Sequence, residues 1–111
     1  MSSRDIAAAR IAAAVAAIPA GQVRSYAQVA VSAGLPGHAR QVARVLAGSD
    51  GLPWHRVLRA DGRIAFPPGS DQALEQAQRL RSEGVTVVEG RVGVDWRPGR
   101  AQLDRWLWGA Q

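Results

Sequence analysis

The stretch SYAQVAVSAGLPGHARQVARVLAG, Ser25 to Gly48, decides the architecture. It opens on Ser25-Tyr26-Ala27-Gln28, a capping box with a serine before the helix and a glutamine at its third position. That helix runs on through Val29 and Ala30 and stops at Gly34. Leu35-Pro36-Gly37 is a turn. The next helix covers Ala39 to Ala47 and ends at Gly48, with Val42, Val45 and Leu46 on one face and Arg40 and Arg44 on another. Two short helices joined by a glycine-containing turn, the second presenting arginines, fit a helix-turn-helix. The turn is a little longer than usual, and the same pattern suits an ordinary helical hairpin with a solvated basic face.

Working outward, Ser2 and Asp5 form a capping box for a first helix, along which Ala7, Ile11, Val15 and Ile18 make one apolar stripe. Pro19 and Gly21 end it. Downstream, Leu52 to Leu58 reads as a short strand, Asp61-Gly62 as a turn, and Arg63 to Phe66 as a segment that pairs back. Pro67-Pro68-Gly69 is a rigid loop. A helix over Asp71 to Ser82 points Leu74, Ala77 and Leu80 inward and closes at Glu83-Gly84. Val85 to Val88 and Arg91 to Val94, joined by Glu89-Gly90, read as a β-hairpin, and Gln102 to Trp108 as a short helix docking two tryptophans.

Composition narrows the function. The 111 residues read as one domain spanning 1–111, and a hydrophobic content of 47% argues against disorder. No apolar run approaches the roughly 20 residues a membrane span needs, and the alanine-rich start reads as a helix rather than a signal peptide. The cytoplasm, in association with the nucleoid, is the expected location. There is no cysteine, which excludes disulfides, thiolate metal sites and a thiol nucleophile; with two histidines a zinc site is not expected either. No cofactor is expected. The net charge is +5, and all 14 basic residues are arginine. A codon bias accounts for that as readily as selection does, but the consequence is physical. Guanidinium binds phosphate with two prongs and stacks on bases, which makes nucleic acid the leading class of partner.

The segment Pro53-Trp54-His55-Arg56-Val57 resembles the Pro-Cys-His-Arg-Val active-site motif of the O6-alkylguanine-DNA alkyltransferases, with tryptophan in place of cysteine, the mark of the alkyltransferase-like proteins. Ile18 to Tyr26 resembles the family's lead into its helix-turn-helix, Gly37 to Val42 the start of its recognition helix, and Glu83-Gly84 the pair after its last long helix. The likeness runs from about Ile6 to Val94 in the right order. It implies a mainly helical α/β fold, the winged-helix-like DNA-binding domain of these enzymes, with a helix-turn-helix and short β-hairpins.

The resemblance also implies roles. Arg40 is similar to the finger that fills the gap left by a flipped nucleotide, and Tyr26 to the tyrosine that crowds the neighbouring phosphate. Ala39 and Arg44 lie on the same DNA-facing helix, which in this family enters the minor groove. Trp54 stands where the alkyl-accepting cysteine would be, at the floor of a base pocket lined also by Tyr26, Leu46 and Val57. His55 and Glu83 match the pair that activates the cysteine; without a thiol their expected role is to support the pocket. Ala43-Arg44 replaces paired glycines of the enzymes, and Phe66-Pro67-Pro68 replaces a polar or aromatic pocket wall.

The implied function is recognition of double-stranded DNA containing O6-alkylguanine, without alkyl transfer. The lesion would be flipped, shielded and passed to nucleotide excision repair, whose damage-sensing ATPase (UvrA type in bacteria) is the expected partner of a monomer that does not engage membranes. Two other readings remain: a degenerate dealkylating hydrolase in which His55 and Glu83 activate water, and a winged-helix regulator that reads intact sequence.

Overall fold

The computed structural model describes residues 2–92. Its first helix, α1 (Ser3–Ala16), begins at the expected box: the Ser2 hydroxyl accepts from the Asp5 amide at 3.2 Å, and the Ser2 amide donates to the Asp5 carboxylate at 3.4 Å. Ile11, Val15 and Ile18 are buried along the stripe read from the sequence. Helix α2 (Tyr26–Ser32) starts with the same reciprocal arrangement between Ser25 and Gln28. Two orphan amides are satisfied locally at each box, so both helix starts are set by sequence before any packing. Gly34 ends α2 at φ +77°, a left-handed conformation that suits glycine, and the chain turns into α3 (Ala39–Ala47). Val42 is buried and Val45 and Leu46 pack beside it, while Arg40, Ala43 and Arg44 are exposed. Helices α1, α2 and α3 pack on one another, so the helix-turn-helix is present.

The strands are short. β1 (Arg24–Ser25) lies parallel to β2 (Val57–Leu58), with Arg24 opposite Val57 and Ser25 opposite Leu58. β3 (Val87–Val88) and β4 (Arg91–Val92) form an antiparallel hairpin through Glu89-Gly90, both at positive φ. Between them, α4 (Asp71–Ser82) starts where the Ser70 hydroxyl accepts from the Ala73 amide at 3.2 Å.

Several expectations need correction. The segment Leu52 to Leu58 is not one strand: Trp54–Arg56 is a single 3-10 turn, and only Val57 and Leu58 pair. The turn is closed by Trp54 N to Leu52 O at 2.8 Å and Arg56 N to Pro53 O at 3.1 Å, while Pro53 itself has no amide to give a ladder. The stretch Arg63 to Phe66 does not pair back on it. Arg63 bridges Arg91 and the Ile64 amide donates to Gly90, while Arg59 N to Arg63 O and Gly62 N to Arg59 O, both 2.9 Å, close the Asp61-Gly62 turn. Leu74 does not point inward; it is 60% exposed, and Gln76 takes the inward place with Ala73, Ala77 and Leu80. The first hairpin strand is shorter than Val85 to Val88; the second pairs at Arg91 and Val92, and Val94 and the Gln102 to Trp108 helix lie outside the described residues.

Two apolar clusters result. One joins α1, α2 and α3 with Val57; the other joins α4, the hairpin, Val23 and Ile64 with Leu58. Adjacent residues of β2 therefore root different cores, as the period-two alternation of a strand requires. Each fully buried aliphatic side chain of this kind contributes about 1.5–3 kcal/mol.

Candidate functional site

The site is built around the 3-10 turn that carries Trp54. The indole is half-buried and meets Phe66 edge-on, with ring centroids 5.7 Å apart at 88°, and His55 at 6.3 Å and 88°. The guanidinium of Arg79, from α4, lies 5.5 Å from the ring centroid, within cation–π range, while its Nη2 holds Glu75 at 2.8 Å. Trp54 is thus fixed on several sides and keeps part of its surface open.

Behind it lies a polar network centred on Glu83, the residue that caps the C-terminal end of α4. Arg56 grips this carboxylate with two prongs, Nε to Oε1 at 3.0 Å and Nη2 to Oε2, and its Nη1 donates to the Ile18 carbonyl at 2.8 Å. His55 Nε2 lies 3.1 Å from Glu83 Oε2. The Gly21 amide reaches Oε1 at 3.4 Å. A side chain at Gly21 would be disfavoured twice: φ is +83°, and a Cβ would sit 3.3 Å from the Glu83 carbonyl oxygen. Hydrogen bonding from Arg56 lowers the Glu83 pKa from 4.5 to about 2; burial opposes this, and the bonds from His55 and Gly21 add to it. The same partner raises Arg56 above its ordinary value, against the opposing effect of burial. Burial raises Tyr26, so its phenol stays neutral at physiological pH.

In the neutral imidazole, an ionised Glu83 favours the tautomer with the proton on Nε2, in which Nδ1 is an acceptor. Nδ1 is buried with no protein partner among the described residues, and so is Gln76 Oε1. The Gln76 amide nitrogen donates to the carbonyls of His55 (3.1 Å) and Val57 (3.0 Å), holding the turn to α4 from below.

The structure brings His55, Glu83 and Trp54 into one assembly. Tyr26 stands apart from it at the first position of α2, half-buried against the first core. Ala39, Arg40 and Arg44 lie on α3, and neither arginine makes an ion pair among the described residues. The link between the two regions is the β1–β2 pairing, since Ser25 caps α2 and Leu58 closes the segment carrying Trp54. Val57 is fully buried in the first core and anchors the turn there. Leu46 also packs against that core.

Sequence reasoning assigned no role to Arg56, Gln76 or Arg79. Arg56 stood within the quoted motif, and a guanidinium flanked by residues destined for burial calls for a carboxylate. Gln76 occupies an apolar stripe position of α4, the one signal that could have revealed it. Chemically, the assembly is a rigid aromatic floor on an imidazole–carboxylate–guanidinium support. It has no nucleophilic thiol, since the chain has no cysteine, and no group of metal-ligating side chains occurs among the described residues. No helix among them is long and apolar enough to cross a membrane.

Comparison with known proteins shows the family and the fold. Residues 7–85 match the family model of the 6-O-methylguanine DNA methyltransferase DNA-binding domain. The chain is 38% identical over 88 residues to a DNA base-flipping protein of Vibrio parahaemolyticus, covering 73% of this chain and 86% of the relative. It is 36% identical over 83 residues to alkyltransferase-like protein 1 of Schizosaccharomyces pombe, covering 72% and 77%. Among solved structures, S. pombe Atl1 in complex with damaged DNA containing O6-carboxymethylguanine superposes with a TM-score of 0.75 at 29% identity, over 88% of this chain and all of the other. The Mycobacterium tuberculosis alkyltransferase in complex with DNA gives 0.59 at 30% identity, over 68% and 48%.

Proposed function

Because the chain belongs to the alkyltransferase-like proteins of the O6-methylguanine-DNA methyltransferase family, we propose that it binds duplex DNA at O6-alkylated guanine, flips the base and does not remove the alkyl group. The observation that carries this reading is Trp54, braced by Phe66, His55 and Arg79 in a chain without a thiol; in this reading it stands where the family's enzymes hold their acceptor cysteine.

The physical steps are as follows. An O6-alkyl group weakens the base pair, so extruding the nucleotide costs less than the few kcal/mol a sound pair demands. α3 enters the minor groove with Ala39 against the backbone, Arg40 fills the gap in the stack, and Arg44 meets a phosphate one turn away. Tyr26 crowds the phosphate beside the flipped nucleotide, and its neutral phenol carries no charge to repel it. Trp54 offers an apolar face to the base or its alkyl group. His55 and Glu83 hold the turn rather than activate a nucleophile, because an indole does not displace an alkyl ether under mild conditions.

Such a protein shields the lesion and marks it for nucleotide excision repair through the damage-sensing ATPase of that pathway. The test is binding to matched duplexes carrying guanine, O6-methylguanine or a bulkier O6-alkylguanine, with the lesion strand analysed afterwards. Tighter binding to both lesions, with the alkyl group intact, is expected. Equal affinity for all three, or multiple-turnover loss of the alkyl group, would overturn the reading.

A further inference from the structure

One well-formed concavity among the described residues does not involve Trp54, Tyr26 or α3. It is a groove of about 910 Å3 between one face of α4, the hairpin β3–β4 and the loop Arg63 to Gly69. All its lining residues lie between Arg59 and Arg91, on the side of the second core. Two properties set it apart. Of the four large apolar side chains exposed among the described residues, two stand in its walls: Leu74 at 60% and Val88 at 62%. Around them are Arg59, Arg63, Arg81 and Arg91 against a single acid, Glu89.

We propose that this groove docks an acidic, amphipathic peptide segment of a protein partner. Charge complementarity carries the choice: Arg59 and Arg91, which make no ion pair among the described residues, would pair with carboxylates, beside Arg63 (3.7 Å from Asp61) and Arg81 (bonded to the Val87 carbonyl), while Leu74, Val88 and Phe66 receive apolar side chains in between. The α4 wall from Ala73 to Arg81 runs about 12 Å, enough for about three to four residues of extended chain. Nucleic acid suits the groove less well. Phosphates would pair with the arginines but offer nothing apolar to cover Leu74 and Val88. Phe66 lines this groove and also touches Trp54 edge-on, so the docked segment would lie one side chain from the aromatic floor. The proposal does not depend on the lesion-binding reading, since no lining residue belongs to α1, α2 or α3.

The experiment uses the full chain and a fluorescein-labelled peptide of about ten residues that alternates glutamate with leucine and valine. Its affinity is read by anisotropy, and methyl NMR locates the contact. Binding should shift the methyls of Leu74, Val88 and Ile64, and a peptide with glutamine for glutamate should bind roughly tenfold more weakly or worse. The Arg59→Glu/Arg91→Glu variant should lose affinity to a similar extent with an unchanged melting temperature and unchanged binding to lesion duplex. Arg81 is left intact because it donates to the Val87 carbonyl at 2.8 Å. Absence of peptide binding, equal binding of the glutamine peptide, or contacts from residues 93–111 already filling the groove would overturn the proposal. So would a response of the same methyls to unmodified duplex but not to peptide, which would make the groove a phosphate track.

Discussion

Arg56 and Glu83 form a two-pronged ion pair that ties the turn bearing Trp54 to the end of α4, with Arg56 also bonded to the Ile18 carbonyl behind α1. One guanidinium thus joins three segments, and its partner accepts from His55 and Gly21 as well. Both side chains are largely buried, at 17% and 16% exposure, so the pair is shielded from water.

Arg56→Ala should therefore destabilise the protein by about 3 kcal/mol, the low end of the roughly 3–5 seen when one partner of a buried pair is removed. Arg56→Lys should recover little, because an ammonium cannot span both carboxylate oxygens and the Ile18 carbonyl in one plane. Urea unfolding of the two variants measures this. A loss below about 0.5 kcal/mol for Arg56→Ala would show that the network is dispensable.

Acid should unfold the protein through Glu83. Folding lowers its pKa from 4.5 to about 2, so its contribution is complete above about pH 4.5 and disappears as pH falls towards about 2. Glu83→Gln should be less stable at pH 7 and show a flatter profile across that window. Parallel stability curves for parent and variant between pH 5 and 2 would contradict the assignment.

Arg40→Ala should weaken binding to a lesion duplex by about 1–3 kcal/mol, the scale of one intimate arginine contact. The side chain is exposed on α3 and makes no ion pair among the described residues, so the fold should tolerate the change. Unchanged affinity for both plain and alkylated duplex would remove Arg40 from the interface.

Trp54→Cys should not restore efficient alkyl transfer. The thiol would have to lie in line with the alkyl carbon, and a misplacement of about 1 Å costs on the order of a hundredfold. Here Phe66 and Arg79 are packed around an indole, and removing it leaves them unsupported. His55 and Glu83 remain as activators, so slow labelling from a radiolabelled O6-methylguanine duplex is expected on the variant and none on the parent. Label on the parent would contradict the non-enzymatic reading, and fast stoichiometric labelling of the variant would show that the tryptophan alone silences the site.

The helices were legible because their starts are written locally: Ser2 with Asp5 and Ser25 with Gln28 each fix a boundary within four residues. The turn at Trp54 was not. Its hydrophobic run suits a strand, and only the pairing of Val57 with Arg24, distant in sequence, shows where the strand begins. The inward register of α4 was misjudged for a related reason. Gln76 is buried because the turn presents the His55 and Val57 carbonyls to it; the stripe of Ala73, Ala77 and Leu80 marks its place on α4, but the carbonyls it serves come from a segment that meets it only after folding. At the site, His55, Glu83 and Trp54 were marked by their motif. Arg56 was overlooked because its importance lies in joining segments that meet only after folding.

The two-residue strand β2 has a mechanical consequence. Val57 is rooted in the core of α1, α2 and α3, and its neighbour Leu58 in the core of α4 and the hairpin. A hinge between the two halves would have to turn the backbone at this step and break the pairing of β2 with β1, so loosening of one half is expected to strain the other. Amide protons on both sides should exchange through one shared opening, with similar protection, rather than through two separable events. A push delivered to α3 would then be felt at the indole as a displacement of the whole body, the way a key turns its bow and its bit together.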